Sequence, residues 1–181
     1  KIDVALMHSP WWGTDLITEP LAYAQMVVII SDNQPMHNAP VERKEHYTFH
    51  DVTRMPLIMS KAKDTQRILL EREATIRGAS LNVVLEADNM ATIFAMVQEG
   101  VGASVVAYSA IHSLLSQGGV KVFPLVDPVI WADLSIVTSA KRTVTAAMRA
   151  YISCVKAESK RLMEREDIPK QYFTLVSPSR T

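Results

Sequence analysis

Two loops carry side chains that could bind a small anion. Their polar side chains are Ser60, Lys61, Thr65 and Gln66 in the first loop and Asp88 and Asn89 in the second. Each loop leads from a predicted strand into a predicted helix, where unpaired backbone N–H groups and the positive end of the helix dipole attract anions. In open α/β sheets the ligand crevice lies at this edge. Most loops of this kind bind nothing, so the pattern alone gives a candidate site.

Two other features permit metal binding or nucleophilic catalysis. His46 and His50 are four residues apart, a spacing at which two imidazoles on one helical turn can share a metal. The sequence has no third ligand spaced nearby, which favours a solvated turn. Cys154 lies between Ile152 and Val155 in the last predicted helix, which favours a buried or half-buried structural thiol over a nucleophile.

Other motifs give no catalytic site. The segment Gly100-Val-Gly102 follows a predicted helix and lacks the third glycine of a dinucleotide-binding fingerprint. The sequence has no P-loop and no Gly-x-Ser-x-Gly motif. The pair Trp11-Trp12 fits either a wall for ligand stacking or packing within the protein. We therefore expect no catalytic residue, no metal and no cofactor.

Composition excludes several classes of protein. The 181 residues include 19 basic and 19 acidic side chains, giving zero formal net charge and no bulk attraction to nucleic-acid phosphates. A single cysteine excludes an internal disulfide and fits a reducing compartment. No apolar run reaches the roughly 20 residues of a membrane span. We expect a cytoplasmic globular protein, and the strand-like run at residues 2–7 predicts that the chain begins partway through a domain.

Predicted strands and helices alternate along the chain. The predicted strands cover residues 2–7, 22–31, 55–59, 81–85, 102–107, 120–123 and 130–138. The first predicted helix covers residues 65–77, with Leu69 and Ile76 on its apolar stripe, and the second lies between Asn89 and Gly100. A third covers residues 109–115, with Ser109 as its cap. The last begins near Val144 and has an apolar stripe through Val155. This alternation predicts an α/β fold with mainly parallel sheets.

The order of these segments resembles the effector-binding domain of LysR-type transcriptional regulators. The most specific part is Val84-Leu-Glu-Ala-Asp88, followed by Thr92-Ile-x-Ala-x-Val97-x-x-Gly100-Val-Gly102 and Ser109-Ala-Ile111. The resemblance covers about residues 1–160. It implies a two-lobed α/β fold like the type 2 periplasmic binding proteins, with two crossover strands. The implied division is 1–24 for the first part of lobe one, 25–123 for lobe two, 124–164 for the returning part of lobe one and 165–181 for a loosely ordered tail.

The resemblance also implies a function and a set of contacts. A small, anionic metabolite would bind in a cleft between the lobes and control transcription, with contacts from both loops named above and from His8, Ser9 and Trp11. DNA would be bound by an N-terminal domain upstream of Lys1, and the domain would pair as a homodimer within a tetramer. We expect no membrane contact.

Two alternatives remain at the level of the sequence. A solute-binding protein of a transport system would share the fold. A small α/β enzyme would need a nucleophile with its base, or a set of metal ligands, and the sequence offers neither.

Overall fold

The computed structural model describes residues 2–8, 15–33, 44–165 and 169–176. The chain forms two compact units, which we call unit 1 (residues 1–24 and 132–181) and unit 2 (residues 25–131). Both boundaries fall within strands, because β2 covers Leu16–Ser31 and β8 covers Trp131–Ser139. Residues 124–131 cluster with unit 2, whereas the sequence analysis assigned them to the returning part of lobe one. The lobes as functional halves stay a prediction.

Unit 1 is built on antiparallel strand pairs. Strand β1 (Val4–His8) pairs with β8. The first part of β2 pairs with β9 (Phe173–Leu175), which follows a 3₁₀ turn at Lys170–Tyr172. Residues 169–176 were expected in a loosely ordered tail, but they form these elements and bury Tyr172.

Helix α5 (Ala146–Met163) completes the helical part of unit 1. Thr145 caps it by accepting a hydrogen bond from the Met148 backbone N–H at 3.2 Å. Met148 is buried and Ile152 and Val155 are half-buried, but Tyr151 is 52% exposed, so the predicted apolar stripe is only partly covered. Cys154 is exposed, and the expectation of a buried or half-buried thiol is wrong, because its position on α5 lies off the side that carries Met148. None of the described helices is long and apolar enough to cross a membrane.

The sheet of unit 2 surrounds the end of β2. Its strands, besides β2, are β3 (Tyr47–Thr48), β4 (Leu57–Ser60), β5 (Val83–Ala87), β6 (Ser104–Ala107) and β7 (Val120–Val126). β2 pairs antiparallel with β6 and β7, and β3 lies parallel to β7. β4 pairs parallel with β5 and joins β6 through a parallel bridge between Leu57 and Ala103. The expectation of mainly parallel pairing is wrong, since the alternation of elements along the chain does not reveal that β2 lies between two antiparallel neighbours.

Local sequence determines where the helices of unit 2 begin. They are α1 (Phe49–Thr53), α2 (Thr65–Ile76), α3 (Met90–Gln98) and α4 (Tyr108–Ile111), with a 3₁₀ turn at Leu115–Gln117. The side chains of Thr48, Asp64 and Asn89 accept backbone N–H bonds at the starts of α1, α2 and α3. Ser109 does not cap α4, because the helix begins one residue earlier, after Ala107.

The buried face of α3 matches its predicted apolar stripe, and that of α2 does not. Ile93, Phe94 and Val97 of α3 are at most 1% exposed, as their helical spacing predicts. On α2 the predicted stripe is wrong. Ile76 is 68% exposed, and the buried positions are Arg67, Leu70 and Ala74. A charged residue thus lies on the buried face of α2, so a search for apolar residues at helical spacing does not identify this face.

Candidate functional site

A cavity of about 230 Å³ lies in unit 2, at the ends of β4 and β5 where the chain enters α2 and α3. Its lining residues are Met59, Ser60, Asp64, Gln66, Arg67, Asp88, Asn89, Met90, Ile93, Ser104, Val105, Val106 and Ala110. The wall is apolar on the side of Ile93, Val105 and Val106 and polar on the side of the two loops. The structure therefore brings together the two loops that the sequence analysis selected.

Ser60 ends β4, and a buried arginine holds it in place. Arg67 Nη1 donates to the carbonyl oxygen of Ser60 at 3.1 Å and to Glu86 Oε1 at 3.3 Å. Arg67 Nε donates to Glu71 Oε1 at 2.7 Å. The side chain of Arg67 is only 9% exposed, whereas both carboxylates are nearly half exposed. The guanidinium thus lies beneath the first loop and is neutralised by acidic partners.

The two loops are joined by an ion pair. Lys61 Nζ lies 2.5 Å from Asp88 Oδ1, with the two side chains 64% and 70% exposed. The hydrogen bond to Asp88 raises the pKa of Lys61 above its ordinary value. Asp88 lines the cavity, while Lys61 does not, so Lys61 reaches the cavity edge through its partner.

Gln66 and Thr65 have different roles from those expected. Gln66 Oε1 accepts a hydrogen bond from the Ala107 backbone N–H at 3.0 Å, which ties the start of α2 to the end of β6. Gln66 lines the cavity, but this oxygen already has a partner. Thr65 is the first residue of α2 and is not among the described lining residues.

The N-termini of both helices are occupied by their own caps. Asp64 Oδ1 accepts from the backbone N–H groups of Gln66 and Arg67 at 2.9 and 3.3 Å. Asn89 Oδ1 accepts from the Thr92 backbone N–H at 2.9 Å. Both capping residues line the cavity. A carboxylate therefore already lies at the start of α2, where the sequence analysis expected a ligand anion.

Ser104 is the unusual polar residue of the cavity wall. It is 0% exposed, and its Oγ has no hydrogen-bond partner among the described residues. By contrast, buried Ser31 donates to the Gln98 carbonyl at 2.9 Å, and buried Ser135 donates to Asp133 at 3.2 Å. A buried hydroxyl without a partner costs about 1–3 kcal/mol. The described residues therefore leave the Ser104 hydroxyl without a hydrogen-bond partner.

The remaining predicted residues lie elsewhere. His8 ends β1 in unit 1, opposite Leu134 of β8, and Ser9 and Trp11 are outside the described residues. His46 and His50 are both exposed. Among the described residues, no group of three or more His, Cys, Asp or Glu side chains could hold a metal ion.

Sequence reasoning missed Arg67 and Ser104. The spacing of Arg67 from Leu70 and Ala74, at three and seven residues, places it on the buried face of α2, and this spacing was an available signal. Ser104 lies in an apolar strand run in which a serine gives no sign of whether its hydroxyl has a partner.

Comparison with known proteins assigns the family. The family model described as the LysR substrate binding domain matches residues 1–160. The CcmR regulatory domain of Synechocystis PCC6803 in complex with 2-PG superposes with a TM-score of 0.73 at 16% identity, covering 88% of this chain and 74% of that one.

Two further solved structures have the same fold. The effector binding domain of QuiR in complex with shikimate superposes with a TM-score of 0.72 at 15% sequence identity, and the match covers 88% of this chain and 72% of that one. The C-terminal domain of a probable LysR family transcriptional regulator from Rhodococcus sp. RHA1 superposes with a TM-score of 0.66 at 18% sequence identity. This match covers 85% of this chain and 74% of that one. No curated protein matches the sequence. The chain thus belongs to the LysR substrate binding domain family and is the effector-binding domain of a transcriptional regulator, a ligand-sensing domain and not an enzyme.

Proposed function

We propose that the cavity of unit 2 binds a small, anionic metabolite and that this binding controls transcription. The observation that carries the proposal is Ser104, a fully buried hydroxyl in the wall of a cavity formed by both predicted loops, for which the described part of the chain offers no hydrogen-bond partner. A ligand oxygen that pairs with Ser104 Oγ would remove the cost of the unpaired hydroxyl. Ser60 and Asn89 line the same cavity and would contact the ligand's polar groups, and Asp88 lies in the same lining.

The charge of the ligand is inferred from the loops. Lys61 lies at the cavity edge, and α2 and α3 both begin there. Asp88 already pairs with Lys61 and Asp64 caps α2, so an anion that binds Lys61 must displace a resident carboxylate. Two structural neighbours are described in complex with 2-PG and with shikimate, which supports a small polar ligand.

Ser104 is closed to solvent, so the ligand must open the wall slightly. Met59 and Met90 line the same cavity. Unbranched methionine side chains change rotamer at low cost and adapt to the shape of a ligand. We propose that rearrangement of these two side chains brings Ser104 Oγ within reach.

Regulation would follow from a shift between conformations of the domain. A ligand that binds one conformation more tightly raises its population. In keeping with the resemblance, the proposal includes DNA binding through an N-terminal domain, a homodimer within a tetramer and a cytoplasmic location. Self-association of the domain would carry the shift to the DNA-binding part.

The proposal is tested by titrating the 181-residue chain with small acids, including shikimate and inorganic phosphate, and with uncharged analogues of similar size. We expect at least one acid to raise the thermal unfolding midpoint with dose, as any ligand specific to the folded state must. Replacing Ser104 with alanine should weaken binding of that acid, measured by calorimetry, by about 1–3 kcal/mol.

Ser116→Ala is the matched control. Ser116 is exposed, and its hydroxyl donates to the Ser113 carbonyl outside the cavity, so its loss should leave the affinity unchanged. Equal affinity of wild type and Ser104→Ala for every stabilising acid would contradict the proposed site.

A further inference from the structure

Every cation at the cavity is already paired with a carboxylate of the protein. Lys61 pairs with Asp88, and Arg67 pairs with Glu71 and Glu86. The backbone N–H groups at the start of α2 are occupied by Asp64. An incoming anion therefore finds Lys61, Arg67 and two N–H groups of α2 already paired, and it can bind either cation only by displacing a resident carboxylate.

The two cations differ in how easily they exchange partners. Arg67 is buried and makes three hydrogen bonds, one of them to the Ser60 carbonyl, so releasing its partners would disturb the end of β4. Lys61 and Asp88 are both largely exposed, and within the described ranges Asp88 is the carboxylate that Lys61 contacts, while Glu86 acts on it electrostatically. Exposed ion pairs are weak, because water solvates both ions well when they separate. Lys61 is thus the cation that can change partners.

We infer that Asp88 acts as an internal competitor that occupies Lys61 until an anionic ligand replaces it. This inference rests on the proposed function and deepens it, because it assigns Asp88 a role opposite to that of a ligand contact. The Asp88 carboxylate is held beside Lys61 by the chain, so it competes at a high effective concentration. An anion therefore binds Lys61 only if its interaction with Lys61 is more favourable than that of the tethered Asp88 carboxylate.

The competition makes a prediction opposite in sign to that for a binding residue. Asp88→Asn keeps the size and polarity of the side chain but removes its charge, which frees Lys61 and removes a repulsive carboxylate from the cavity edge. We expect the dissociation constant for inorganic phosphate, at fixed ionic strength, to fall about three- to fivefold. Chemical-shift titration of the backbone amides of residues 60–66 and 88–93 in the 181-residue chain measures it.

A double-mutant cycle tests whether the effect passes through Lys61. Lys61→Met should weaken phosphate binding, and in the Lys61→Met background Asp88→Asn should have a smaller effect than in the wild type. The matched control is Asp32→Asn, which breaks an ion pair of 2.7 Å with Lys121 near the far end of α3 and should leave the dissociation constant unchanged.

The outcomes distinguish this inference from the proposed function. Weaker or unchanged phosphate binding in Asp88→Asn would overturn the competitor role, and so would an absence of phosphate binding in every variant. If small acids still stabilise the wild type and Ser104→Ala still weakens their binding, the proposed function stands without the competitor role of Asp88. If Asp88→Asn strengthens phosphate binding while Ser104→Ala leaves every acid's affinity unchanged, the competitor role stands and the Ser104 subsite fails.

Discussion

Arg67 Nη1 donates a hydrogen bond of 3.1 Å to the carbonyl oxygen of Ser60, across the loop that connects β4 to α2. The two residues are seven apart in sequence, and the guanidinium is almost completely buried. The position of the Ser60 side chain at the cavity therefore depends on a cation that does not need to touch the ligand. The proposed site therefore predicts that stability and ligand binding are linked at this loop.

Replacing Arg67 with methionine should destabilise the protein and weaken ligand binding together. The substitution keeps much of the side-chain volume but leaves the Ser60 carbonyl, Glu71 and Glu86 without their partner. Since both carboxylates are nearly half exposed, we expect a loss of only about 2 kcal/mol in the free energy of unfolding, measured with urea. Arg72→Met, at an exposed position on the same helix, should cost less than about 0.5 kcal/mol. Equal losses in the two variants would contradict the role of Arg67.

Ser104→Ala should stabilise the ligand-free protein. Removing a buried hydroxyl without a partner eliminates a desolvation cost, so we expect the free energy of unfolding to rise by about 1 kcal/mol. Ser31→Ala should lower it by about 1 kcal/mol, because Ser31 Oγ donates to the Gln98 carbonyl. Chemical denaturation of the two variants gives the comparison. A loss of stability in Ser104→Ala similar to that in Ser31→Ala would show that its hydroxyl has a partner in the free protein.

Asp51 should make part of the stability depend on pH. Hydrogen bonds from Lys44 and Thr48 lower the pKa of Asp51 from 3.8 to about 2. Because the folded pKa lies below the unfolded one, this contribution is complete above the unfolded value and is lost as the pH falls from 3.8 towards 2. Because water screens the partly exposed pair of Asp51 with Lys44, Asp51→Asn should cost about 1 kcal/mol near neutral pH and less near pH 2. Urea unfolding across this range measures it, with exposed Glu45→Gln as the control. A cost that is independent of pH would contradict the assignment.

Gly102→Ala should disturb the junction of β4 and β6. An added Cβ would lie 2.6 Å from the Pro56 carbonyl oxygen, and backbone on both sides leaves little room to adjust. Ala103 N–H donates to the same oxygen at 2.9 Å, so a displacement would also weaken this pairing. We expect a loss of about 2–3 kcal/mol in the free energy of unfolding. Gly118→Ala, whose Cβ would meet nothing within 4 Å, should cost about 1 kcal/mol from its positive φ of 70° alone. A smaller loss for Gly102→Ala than for Gly118→Ala would contradict the close approach.

Local signals explain what the sequence could predict. The caps Thr48, Asp64 and Asn89 are short polar side chains. Each accepts a hydrogen bond from a backbone N–H group two or three residues later, so its role follows from spacing alone. The helical spacing of Ile93, Phe94 and Val97 likewise identifies the buried face of α3. The loops on which Ser60 and Asp88 lie were predicted from the same local patterns.

Contacts between distant residues explain what the sequence could not predict. β2 begins at Leu16, earlier than the apolar run of residues 22–31 indicates, and its neighbours include β8 and β9, both roughly 100 residues or more later in the chain. The hydrogen bond of Gln66 to Ala107 spans 41 residues and redirects a side chain that seemed free to meet a ligand. Whether Ser104 has a partner depends on residues far from it in sequence, such as those around Ile29, which lies opposite Ser104 on β2.

Strand β9 lies beyond residue 160, where the family match ends, yet it pairs with Ala22, Tyr23 and Ala24 of β2. A chain shortened to residue 160 would retain the whole matched region and lose this cover. The uncovered backbone groups of β2 would then form an open sheet edge, which is a template for association between molecules. Trimming the protein to its family boundary is therefore expected to promote aggregation, with no change to any residue of the cavity.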